Sequence, residues 1–133
     1  MIKLFIGGKG SGKTKTLIEL TNSATETSKG SVVCIEKGDK LKHEITYKAR
    51  LIDTDAYTVC DATSLYGFIA GILASNNDIT DIFVDSSLKI CGNDVNAFAE
   101  MLPKLEKISE SVNIVMSASI AVEEAPEGIK KYA

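Results

Sequence analysis

The chain predicts an α/β fold, a three-layer parallel sheet with helices on both faces. Three observations carry that expectation. Short apolar runs alternate with segments of helical periodicity along the whole 133 residues. The first run and the first helical segment are joined by a glycine-rich loop, GGKGSGKT, at 7–14. No linker, repeat or low-complexity tract divides the chain, so 1–133 reads as one domain, a length that supports one hydrophobic core.

The first strand is Ile2-Lys3-Leu4-Phe5-Ile6, an apolar run of buried type. A helix then starts near Lys13 and runs to about Ser28, with Leu17, Ile18, Leu20, Thr21 and Ala24 on one side, and Lys29-Gly30 stops it. Ser31 to Ile35 (SVVCI) is the second buried strand, and 37–43 is a polar loop. From Ile45 to Leu51 apolar and polar residues alternate, which predicts a half-buried strand at a sheet edge. Tyr57 to Cys60 is a further short strand candidate. Asp61 or Thr63 caps a helix over 64–75, and Asn76-Asn77 ends it. Gly67 and Gly71 weaken that helix, so packing must hold it. Ile79 to Asp85 (ITDIFVD) is another buried strand. Asn93 or Asp94 caps the next helix, which turns Val95, Phe98, Ala99, Leu102, Leu105 and Ile108 inward and kinks or restarts at Pro103. Asn113 to Ser119 (NIVMSAS) is the last strong strand. The tail, 121–133, has little apolar content.

Composition narrows the function classes. A hydrophobic share of 44% and a charged share of 25% are ordinary for a soluble globular chain, and the expected location is cytoplasmic. The longest apolar stretch, Phe68 to Ala74, is too short to span a bilayer. Net charge is −3 without a basic block, which gives no nucleic-acid signal. Cys34, Cys60 and Cys91 are widely spaced and read as buried free thiols, and with a single histidine, His43, a zinc site has no support. One arginine, Arg50, stands against fourteen lysines, whereas phosphotransferases clamp the moving phosphoryl group with several arginines.

The loop is where chemistry is expected. Gly7, Gly12, Lys13 and Thr14 occupy every fixed position of G-x-x-x-x-G-K-[ST], and strand–loop–helix is the context that motif needs. Glycines at 7, 8, 10 and 12 let the backbone curl and aim its N–H groups inward, and the helix start adds unpaired N–H groups and the positive end of its dipole. Gly7, Gly8, Lys9, Gly10, Ser11, Gly12, Lys13 and Thr14 thus form a candidate phosphate cradle. Lys13 would reach the β- and γ-phosphates of a triphosphate, and Thr14 would ligate Mg²⁺. Lys9 itself reads as a solvated loop lysine.

A second metal-side group is expected at the end of an apolar strand. Asp85 after Ile82-Phe83-Val84 fits, holding Mg²⁺ through a water; Asp53 after Leu51-Ile52 is a weaker rival. Ser86 follows Asp85, so that position offers no glutamate to polarise a water. Glu36 closes the second strand and is a general-base candidate, with a solvated surface carboxylate as the equal alternative. Ser117, or Ser119, ends an apolar strand and is a candidate γ-phosphate sensor. Arg50 reads as a solvated residue or phosphate neighbour. His43 has no assigned chemistry.

The loop is the Walker A pattern, and through it the chain resembles the P-loop NTPase superfamily. VVCIE at 32–36 and IFVDSS at 82–87 make it look closest to the RecA/KaiC-like ATPases, where the metal-side strand commonly ends in Asp-Ser and a glutamate closes the preceding core strand. That resemblance implies a RecA-like strand order and a catalytic Glu36. It departs from the family where the chain stops soon after 113–119 and carries no arginine-finger region. The partition and septum-site ATPases place a signature lysine where Gly8 stands. No Asn-Lys-x-Asp element or Asp-x-x-Gly switch points to a GTPase, and thymidine-kinase-type enzymes are only superficially similar.

The expected function is ATP binding with slow Mg²⁺-dependent hydrolysis that a partner activates; the expected association is with a protein partner or as a homo-oligomer. The alternatives are a small-molecule kinase and a nucleotide-binding regulatory or scaffold module without turnover.

Overall fold

Alternation along the strands sorts side chains onto the two faces of a five-stranded parallel sheet. The computed structural model describes residues 1–133. The strands are β1 (Ile2–Gly7), β2 (Ser31–Glu36), β3 (Ala49–Asp53), β4 (Ile79–Val84) and β5 (Asn113–Ser119), in the order β1-β5-β4-β2-β3. On one face Val32, Cys34 and Phe83 pack against Leu17 of α1 (Lys13–Thr27). On the other, Val33, Ile35, Ile82, Val84, Ile114 and Met116 join the larger core. That face is covered by α2 (Ala62–Ser75), α4 (Val95–Ile108) and two short pieces, α3 (Ser87–Ile90) and α5 (Glu127–Lys130). The expected three layers, a parallel sheet between helices, are present. No helix is long and apolar enough to cross a membrane.

Local chemistry explains the element ends. Asp61 caps α2: its carboxylate accepts from the Ser64 N–H at 2.8 Å, while Ser64 Oγ accepts from the Asp61 N–H at 3.1 Å. Asp94 caps α4 by accepting from the Ala97 N–H at 3.1 Å, and Asn93 is a left-handed turn residue with φ 59°. α4 runs through Pro103 as one helix rather than restarting there. The missing N–H costs about 3 kcal/mol, and fully buried Phe98, Leu102 and Leu105 offset it at about 1.5–3 kcal/mol each.

Several expectations need correction. The strand expected at 45–51 begins only at Ala49 and extends to Asp53, and residues 40–45 form turns. Leu41 and Ile45 lie four apart, one turn, and both are buried against the α1 face, whereas Tyr47 is 92% exposed. Tyr57 to Cys60 is not a strand; a 3₁₀ turn at Thr54–Tyr57 precedes it, started by Asp53, whose carboxylate accepts from the Asp55 N–H at 2.8 Å. Leu20 and Ile108, expected inward, are 38% exposed at the margins of their helices. The tail is more built in than its composition suggests. Ala125, Ile129 and Tyr132 are buried in the larger core, and the Leu4 N–H donates to the Tyr132 carbonyl at 2.8 Å, so the tail shields the outer edge of β1.

Thr54 is fully buried at the end of β3, and its hydroxyl has no partner. An unsatisfied buried hydroxyl costs about 1–3 kcal/mol, whereas an apolar group of the same shape carries no such penalty. Thr54→Val is therefore expected to stabilise the fold by about 1 kcal/mol. Urea denaturation checks this through a higher midpoint at unchanged slope.

Candidate functional site

Gly7 ends β1, and the chain turns through residues 8–12 before α1 begins at Lys13. Gly10 (φ 81°) and Gly12 (φ 83°) are left-handed, a conformation that side chains resist, and Gly12 is the N-cap of α1. No side chain caps that helix. The backbone N–H groups of residues 8–15 consequently donate to no protein acceptor; the first to bond back is that of Thr16, to the Gly12 carbonyl at 3.1 Å. These residues are mostly exposed, so water or a bound anion can take the donors. Lys13 Nζ folds back over the loop, donating to the Gly8 carbonyl at 2.8 Å and to Ser11 Oγ at 3.1 Å.

Three candidate residues meet beneath the loop. Thr14 Oγ1 donates to Asp85 Oδ1 at 3.0 Å, and Ser117 Oγ donates to the same oxygen at 2.8 Å. Ser117 Oγ also accepts from the Ser86 N–H at 2.8 Å, and its carbonyl accepts from Ser87 Oγ at 2.8 Å. Asp85 and Ser117 are 8% and 2% exposed, so these bonds form where water competes little. Sheet order makes the meeting possible. β5 lies between β1 and β4, which places Ser117 beside both the loop and Asp85. Ser119, the other sensor candidate, lines the space above without joining this network.

Above the network opens a cleft of about 1010 Å³ at the carboxyl ends of the strands. Its walls carry Lys9, Lys13, Lys15, Lys40 and Lys89, with Glu124 the single acidic residue. None of the five lysines is in an ion pair; the ion pairs are Lys37–Asp55, Lys42–Asp39 and Lys48–Glu26. A chain of net charge −3 thus gathers a local positive field at one place. Lys15, Lys40 and Lys89 escape a motif-based reading. Lys89 alone leaves a signal, lying four residues after Asp85 in a segment that forms one helical turn.

Other candidates lie elsewhere. Glu36 is 2% exposed, which removes the solvated alternative. Both its carboxylate oxygens accept from the Leu41 N–H at 3.3 Å, and it does not line the cleft. Burial is the main cause that raises its pKa above the ordinary carboxylate value, and nearby Asp53 and Asp85 add to it. Asp53, the weaker metal-side rival, is a turn builder: Oδ1 accepts from the Gly38 and Asp55 N–H groups, both at 2.8 Å. Arg50 is exposed on β3 beside Tyr47 and Lys48, outside the cleft. His43 is exposed. Cys34 and Cys91 are buried free thiols whose pKa burial pushes up to about 12, so both stay protonated; Cys60, expected buried, is exposed.

No group of three or more His, Cys, Asp or Glu side chains is placed to hold a metal ion. A Mg²⁺ site does not require one, because that ion keeps several waters and takes one or two protein ligands plus phosphate oxygens. Thr14 and Asp85 are a donor set of that kind. Searches against protein-family models and against curated proteins found no match for this chain.

Proposed function

We propose that this chain binds ATP as its Mg²⁺ complex and hydrolyses it slowly. The observation that carries the reading is the loop at 8–15, whose backbone N–H groups have no protein acceptor and most of whose residues line a cleft that also carries unpaired lysines. Such a cradle suits a dense polyanion. Lys13 would leave the Gly8 carbonyl for the β- and γ-phosphates. Thr14 would hold Mg²⁺ directly and Asp85 through a water, and Ser117 would orient Asp85. Bound Mg²⁺ would supply charge neutralisation of the phosphates. We extend the proposal to a RecA/KaiC-like strand order; its support is β5 between β1 and β4, with Ser117 touching Asp85.

Calorimetric titration with ATP, GTP and their non-hydrolysable analogues, with and without Mg²⁺, tests the reading. Mg²⁺-dependent binding of ATP over GTP is expected, with phosphate release on long incubation. Binding without turnover would assign a regulatory module instead. No heat with any nucleotide would sink the proposal.

A further inference from the structure

The loop between β2 and β3 carries four lysines, and they differ. Lys48 pairs with Glu26 at 3.2 Å, Lys37 with Asp55 at 2.7 Å and Lys42 with Asp39 at 3.8 Å. Lys40, between them, has no carboxylate partner and lines the cleft. The loop that carries it is tied down along its length. The Gly38 N–H donates to Asp53, the Leu41 N–H to Glu36, and the Thr46 N–H to Asn22 Oδ1 at 2.9 Å. Asn22 Nδ2 in turn donates to the Glu44 carbonyl at 2.9 Å, while Leu41 and Ile45 bury themselves in the core beneath α1.

Sheet order gives Lys40 its direction of approach. The loop at 8–14 leaves β1, Ser117 lies near the end of β5 and Asp85 just after β4, the two strands next along the sheet, and Lys40 comes from beyond them, after β2. A polyphosphate seated in the loop and reaching toward Asp85 ends facing Lys40. No arginine lines the cleft to take that place.

We infer that Lys40 contacts the terminal phosphoryl group of the bound nucleotide, and that Glu36 positions Lys40 by holding the Leu41 N–H at the root of its loop. The inference rests on the reading of the cleft as a nucleotide site, and makes it selective for triphosphate over diphosphate. Glu36 then serves as a positioning residue in place of a general base, in keeping with its burial away from the cleft.

The test compares the affinity of the full chain for a non-hydrolysable ATP analogue and for ADP, both with Mg²⁺. Lys40→Ala is expected to weaken the analogue about tenfold, the scale of one charge-assisted hydrogen bond, and ADP less than about twofold. Lys42→Ala, on the same loop, leaves both unchanged. Glu36→Gln keeps an oxygen for the Leu41 N–H, so it retains the triphosphate preference and the turnover, while Glu36→Ala loses the preference. Equal losses for analogue and ADP in Lys40→Ala, or a preference lost only in Lys89→Ala, would overturn the assignment. Turnover abolished in Glu36→Gln with the preference intact would return Glu36 to the general-base role and overturn its positioning role. A wild-type chain that binds neither nucleotide refutes the parent reading, and is distinguished by silence before any substitution is made.

Discussion

Lys13→Ala is expected to abolish Mg²⁺-ATP binding while leaving the fold intact. The two halves of that expectation have separate grounds. In the free chain Lys13 Nζ bonds only to its own loop, at the Gly8 carbonyl and Ser11 Oγ, and both bonds are exposed. Losing exposed bonds of this kind costs the fold little. In the bound state the same ammonium would bridge two phosphates inside a loop whose other donors are neutral N–H groups and the exposed Lys9. Two charge-assisted hydrogen bonds are worth about 3–5 kcal/mol together, so affinity falls by more than about a hundredfold. Circular dichroism and a thermal melt without ligand should match wild type. With ATP, the rise in melting temperature should vanish from the variant. Nucleotide protection that survives Lys13→Ala would mean that the loop is not the site.

The expectation for Lys13 comes from a contiguous motif, and contiguity separates what was legible in the sequence from what was not. Strands β1, β2, β4 and β5 announce themselves as apolar runs, and the turn residues Gly30 and Asn76-Asn77 mark where β2 and β4 are about to begin. The segment before β3 misleads because Ile45 belongs with Leu41 on a helical turn and not with Tyr47 on a strand. The tail misleads because Ile129 and Tyr132 are few among charged neighbours, yet each fills the core and the Tyr132 carbonyl meets an edge that β1 alone would leave open. Asp85 and Ser117 can be proposed one at a time from strand ends; that they share an oxygen contact depends on β5 lying between β1 and β4, which periodicity does not encode. Lys15 and Lys40 are invisible for the same reason, and Lys89 leaves only its spacing from Asp85. The cleft is assembled from loops far apart in the chain, and a lone lysine in a polar loop carries no mark of the space it faces.

Asp85 is the second position where a large effect is expected, and two substitutions divide its roles. In the free chain it accepts hydroxyl protons from Thr14 and Ser117 in a nearly closed environment. Asp85→Ala leaves both donors without their acceptor, and is expected to cost about 2 kcal/mol of stability. Asp85→Asn keeps a carbonyl oxygen for Thr14 and Ser117 and removes the charge, so most of that loss is recovered. The metal separates from the fold at this point. A water bound to Mg²⁺ needs a strong anionic acceptor, which an amide does not supply, so both variants are expected to bind ATP with the same affinity whether or not Mg²⁺ is present. Urea denaturation reads the first effect and paired titrations with and without Mg²⁺ read the second. A Mg²⁺ enhancement that persists in Asp85→Asn would leave Asp85 as a structural pin between the loop and β5, with the ion held elsewhere. An enhancement lost in Asp85→Asn at near-wild-type stability would tie the metal to this carboxylate, because the two variants share the missing charge and differ in the hydrogen bonds they keep.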